Sequence, residues 1–161
     1  MPATQKPTVR RPAAAEASIV VVDNKGRERV QRVAYVVTDV HGEPVYVTAE
    51  GLAYAHDSLA RKSRFDLIDE LARLPDVLAD PDIVVYDYAS PDDTLIYYKR
   101  IYLQPGHEYE LVAAVIKFRQ GVKFLYNFHS QESGKVKGAR DAETIAVWYI
   151  APGKRSREFG L

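Results

Sequence analysis

The stretch from Asp82 to Ser130 constrains the fold most. It holds four runs rich in Val, Ile, Tyr and Phe: Asp82–Tyr88, Thr94–Leu103, Tyr109–Phe118 and Val122–Ser130. Such residues suit a pleated, half-buried surface. Turn formers separate the runs: Ser90-Pro91-Asp92-Asp93, Gln104-Pro105-Gly106 and Gln120-Gly121. Proline presets φ for a turn and glycine supplies positive φ, so the breaks have a mechanism. Connections this short join antiparallel neighbours. The stretch therefore predicts a four-stranded antiparallel meander, extended by a fifth strand at Thr144–Ile150.

Upstream, Ser18–Val22, Arg29–Thr38 and Pro44–Val47 read as short strands in two hairpins, an N-terminal β-extension. Thr48 has the character of a helix N-cap, and Leu52, Ala55, His56 and Leu59 recur on one face of the helix it would start. Ser63 with Asp66 resembles a capping box for a second helix, which Pro75 stops or kinks. Two helices packed on a four- to five-stranded antiparallel sheet give an α+β fold. The expected organisation is a Pro-rich mobile arm over 1–17, one domain over 18–150 and a charged flexible tail over 151–161. Within the domain, 18–47 is the β-extension and 48–131 the core.

The 161-residue chain has no cysteine, which excludes disulfides, thiolate metal sites and thiol catalysis. No apolar run approaches membrane-spanning length, and the N-terminus lacks a signal-like pattern, so a soluble cytoplasmic protein without a membrane partner is expected. The net charge is zero but segregated: residues 66–93 carry −8 and residues 94–161 carry +5. Either mixed charge serves solubility, or a basic sheet face meets a polyanion.

Phosphate-loop, dinucleotide-binding, nucleophile-elbow and metal-ligand motifs are all absent, and no cofactor is implied. His56 is either a core histidine satisfied by a carbonyl or a general base at the helix–sheet junction. Lys99 and Arg100 fall on opposite faces of one strand, so one shares a side with core candidates. Either cation could snorkel to water or stabilise a phosphate. Strict alternation groups Asn127 and His129 with Lys123 and Leu125, and Ser130 with Phe124, Tyr126 and Phe128. His129 and Ser130 close their strand beside a basic loop, Glu132–Arg140, where Lys135, Lys137 and Arg140 could contact a ligand. Tyrosines such as Tyr126 could stack on unpaired bases.

The element order runs from Leu52-Ala-Tyr-Ala-His56 through Leu78-Ala-Asp-Pro81-Asp82-Ile-Val-Val-Tyr86 and Thr94-Leu-Ile-Tyr-Tyr-Lys99. It continues with Glu110-Leu-Val-Ala-Ala-Val-Ile-Lys117 and ends at Phe124-Leu-Tyr-Asn-Phe128-His129-Ser130. Over residues 48–131 this resembles the phage-associated branch of the barnase, EndoU, colicin and RelE-like nuclease superfamily. The resemblance implies two helices before a four-stranded antiparallel sheet. It also implies metal-independent RNA cleavage of the toxin or phage-effector kind. By the same resemblance, His56 matches the family's helix histidine and Lys99 its strand cation. His129 and Ser130 match its strand-closing polar residues, with Arg61-Lys62 standing for a second basic helix position. The competing reading is a non-catalytic interaction module of a phage or defence assembly, holding RNA or a protein through its arm or a sheet edge. A small-ligand-binding domain is a third.

Overall fold

A computed structural model describes residues 7–23, 25–103, 108–139 and 144–161. Its strands are β1 (Val9–Arg10), β2 (Ser18–Val22), β3 (Glu28–Thr38), β4 (Pro44–Thr48), β5 (Ile83–Tyr86), β6 (Thr94–Ile101), β7 (Glu110–Arg119), β8 (Val122–Gln131) and β9 (Val147–Ile150). The α-helices are α1 (Ala49–Arg61), α2 (Phe65–Asp69) and α3 (Leu74–Ala79), with a 3₁₀ turn over Glu70–Arg73 joining the last two.

The fold is α+β, and the β5–β6–β7–β8 meander forms by antiparallel pairing. The sheet is larger than four or five strands. Its order is β1-β3-β4-β8-β7-β6-β5-β9, with β2 on β3. Two additions explain the difference. The N-terminal strands join the main sheet because β4 pairs parallel with β8 at Val45↔Lys123 and Tyr46↔Phe124. At the other side, β9 pairs antiparallel with β5.

Both faces of the meander are covered. On one, Val84, Tyr97, Val112, Leu125 and Phe128 meet Ala55, Leu59, Leu67, Leu74 and Leu78 from the helices. On the other, Ile83, Ile96, Tyr98 and Ala113 meet Val136 and Phe159 from the C-terminal stretch. Tyr97 and Tyr98 are thus both fully buried, back to back. The segment expected as a loose tail instead forms a 3₁₀ turn over Ser156–Phe159 and contributes Phe159 to this second core. The expected mobile arm is also docked where it is described. β1 pairs with β3, and Glu16 accepts from Arg10 at 2.7 Å and from the Tyr46 hydroxyl at 2.8 Å.

Thr48 caps α1, its hydroxyl accepting from the Gly51 amide at 3.0 Å. The second helical stretch starts differently from expectation. Ser63 sits at φ 55° and makes no cap; Arg64 holds the N-cap position. Pro75 lies in the first turn of α3, where its missing N–H costs nothing, so it opens a helix rather than closing one.

Gly51 lets α1 approach β8. A Cβ there would lie 2.8 Å from the Leu125 carbonyl oxygen and 2.9 Å from Thr48 Oγ1. Gly51→Ala gains up to about 1 kcal/mol of helix propensity but incurs roughly 1–3 kcal/mol of overpacking against a backbone atom. The expected outcome is net destabilisation of about 1–2 kcal/mol, read as a lowered urea midpoint with unchanged slope.

Candidate functional site

A β-bulge decides which side of β8 does what. Val115 pairs with Asn127 but Ile116 pairs with Leu125, so Tyr126 is the extra residue. Alternation restarts there. Leu125 and Phe128 both face the helices, although they are three residues apart. Asn127 and His129 therefore leave the face of Lys123 and Leu125 and point to the opposite side of the sheet, correcting the strict alternation.

On that side lies a cavity of about 360 Å³. It is lined by Thr94 and Ile96 of β6, Val115 and Lys117 of β7, and Tyr126 to Gln131 of β8 except Phe128. Lys62 from the end of α1, Asp87 from the loop after β5 and Lys137 from the basic loop complete it. Three lysines and one carboxylate thus line it, Lys117 being paired with Asp93 outside the lining.

His129 is the titratable centre of this cavity. Burial of the imidazole lowers its pKa from 6.5 to about 4, and the charges of Lys137 and Lys62 push the same way. A backbone hydrogen bond at Ser130 and the Asp87 charge oppose them. At neutral pH the ring is uncharged, with a lone pair available as a base.

Lys117 is held firmly. Its ammonium donates to Thr94 Oγ1 at 2.8 Å, lies 3.4 Å from Asp93 Oδ1, and sits 4.9 Å from the centre of the Tyr126 ring. The Thr94 hydroxyl donates to Asp93 at 2.7 Å, and Arg119 brackets the same carboxylate at 2.8 and 3.1 Å. Asn127 Oδ1 accepts from the Phe128 amide at 2.8 Å, which leaves its amide nitrogen as the donor end.

Four of the residues singled out from sequence line this one cavity: His129, Ser130, Lys137 and Tyr126. Ser130 lines it but is engaged elsewhere: its hydroxyl donates to Glu110, which also pairs with Arg64 at 2.8 Å. The others separate. His56 is on the exposed side of α1, its side chain 55% accessible and 3.6 Å from Asp57, not at the helix–sheet junction. The inward line of α1 runs through Gly51, Ala55, Ser58 and Leu59, and His56 is turned away from it. Lys99 faces the helices and donates to the Asp80 carbonyl at 2.7 Å and its carboxylate at 3.1 Å, closing the end of α3. Arg100 points to the C-terminal stretch, 4.5 Å from the Phe159 ring centre and 3.4 Å from the Glu158 carboxylate. Lys135 reaches the Glu158 carbonyl at 3.3 Å and, with Arg100, lines a separate hollow of about 250 Å³. Arg140 lies outside the described residues.

Lys117 and Asp87 were not among the sequence candidates for the site, and Lys62 was named only with Arg61, as a basic helix position implied by the resemblance. Lys117 had a signal: it is a cation in an apolar run, Leu111 to Phe118, on the same parity as Ala113 and Val115. Asp87 carries no local signal, because only the packing of the β5–β6 loop brings it to the cavity. Among the described residues, no group of three or more His, Asp or Glu is placed to hold a metal ion, and no helix is long and apolar enough to cross a membrane. Comparison with protein-family models, with curated protein sequences and with solved structures found no match to this chain.

Proposed function

We propose that the cavity behind β8 binds RNA and that the protein is a metal-independent endoribonuclease of the toxin or phage-effector kind. The observation that supports this most is the pairing of a neutral, buried imidazole with three lysine ammoniums in one concave site. Cleavage by transesterification needs a base, a proton donor and cations on the phosphate. In the proposed reaction His129 takes the proton of the 2′-hydroxyl. The 2′-oxygen bonds to phosphorus as the bond from phosphorus to the 5′-oxygen breaks. Lys117 holds the non-bridging oxygens, and Lys137 returns a proton to the departing 5′-oxygen. Tyr126 offers a ring face for a base. This differs from the sequence reading in its parts: His56, Lys99 and Arg100 are not used, and Lys117 enters.

The test is a labelled mixed-sequence RNA incubated with the purified protein in EDTA, beside His56→Ala. The expected result is fragments ending in 2′,3′-cyclic phosphate, formed equally by both proteins. Fragments lost in His56→Ala would return the chemistry to α1 and overturn the assignment. RNA retained without cleavage would favour the non-catalytic binding module.

A further inference from the structure

Resting on the reading of the cavity as an RNA site, we infer that the β2–β3 hairpin is an RNA-backbone clamp. It would extend the footprint from the cavity to a longer single strand. The cavity's size suits about one nucleotide. The hairpin is a separate unit: β3 pairs with β2 over Glu28 to Arg32 and with β4 only from Val33 onward, across an irregularity at Val33 and Tyr35. Its side chains include Lys25, Arg27, Arg29 and Arg32 against Asp23 and Glu28. The three arginines are more than half exposed although each touches a carboxylate.

One strut connects this hairpin to the cavity. Arg119 donates through Nη1 to the Val22 carbonyl at the hairpin's end and through Nε and Nη2 to Asp93. Asp93 bonds Thr94 and neighbours Lys117, which both line the cavity. The end of the hairpin is thus tied through Arg119 and Asp93 to the wall of the cavity. Successive phosphates of a single strand would meet Lys117 and then the hairpin arginines. A phosphate-tracking surface of this sort is independent of sequence and sensitive to salt.

The test compares a dinucleoside monophosphate with a single-stranded RNA of about a dozen nucleotides, a length several times the cavity's reach. Each is presented to wild type and to a Lys25→Gln, Arg27→Gln, Arg29→Gln variant, which removes the charges and keeps the backbone bonds to Asp23. Matching melting curves would establish that the variant is folded. The expected result is a loss of roughly tenfold or more in affinity for the long RNA, with a shallower salt dependence. Dinucleotide cleavage stays unchanged. Equal long-RNA affinity in the two proteins, or none in either, overturns the clamp. Hairpin-dependent binding without dinucleotide cleavage keeps the clamp and removes the catalytic reading instead.

Discussion

On the proposed function, replacing His129 by glutamine is expected to lower RNA cleavage by roughly 10²–10⁴-fold, the range a positioned general base supplies. Glutamine keeps a polar side chain of similar reach but cannot take a proton. The pH behaviour separates this role from a packing role. Because the free protein's His129 titrates near 4, kcat/KM of the wild type is expected to hold through neutral pH and fall as pH drops towards that value. The same shift has a stability consequence of fixed sign. Between pH 6.5 and about 4 the unfolded chain binds a proton at this histidine and the folded chain does not. Acidification through that window therefore favours unfolding, by on the order of 3 kcal/mol across it. His129→Gln removes this contribution. Urea melts from pH 7 to pH 4 should show a shallower loss in the variant, and equal slopes would mean the imidazole is not held neutral.

Asp39→Ala is expected to cost about 3–5 kcal/mol, as removal of one member of a buried charge network does. The Asp39 side chain is completely buried. It accepts from the Tyr97 hydroxyl at 2.6 Å, the Lys123 ammonium at 2.9 Å, and the amides of His41 and Glu43 at 2.9 and 3.0 Å. Lys123 would keep Glu43, at 2.7 Å, and the Trp148 ring, 4.4 Å away. The Tyr97 hydroxyl and two amides would lose their acceptor, and the buried hydroxyl left without one is the costly part. The urea midpoint reads the loss. An Asp39→Leu, Lys123→Met double variant should recover part of it, since it removes the charges together. Lys123 opens β8, the strand that carries Asn127 and His129, so the network also anchors the floor of the cavity.

The meander was legible because its information is local: alternating apolar runs and turns built on Pro91 and Gly121, the turn read at Gln104-Pro105-Gly106 lying outside the described residues. The Thr48 cap was legible for the same reason. The parallel β4–β8 pairing was not, since nothing in either strand's sequence names a partner 78 residues away. Phe159 reads as one aromatic in a charged tail until Val136 and Tyr98 are beside it. The bulge at Tyr126 mattered most for the site. Alternation with period two assigns His129 to the helix face, and one inserted residue reverses the assignment. His56 erred the other way. A helical stripe about 100° wide does not reveal its own margin, and His56 falls beyond the line through Ala55 and Leu59.

The claim that the RNA site lies behind β8, at His129, is tested most directly by the imidazole signals of the histidines during titration with a 2′-O-methyl RNA oligonucleotide, which binds but cannot react. The predicted result is a saturable shift of His129 and of the Lys117 and Tyr126 side-chain signals, with His56 unmoved. Shifts confined to His56 and the outer face of α1, with His129 unchanged at saturation, would contradict it.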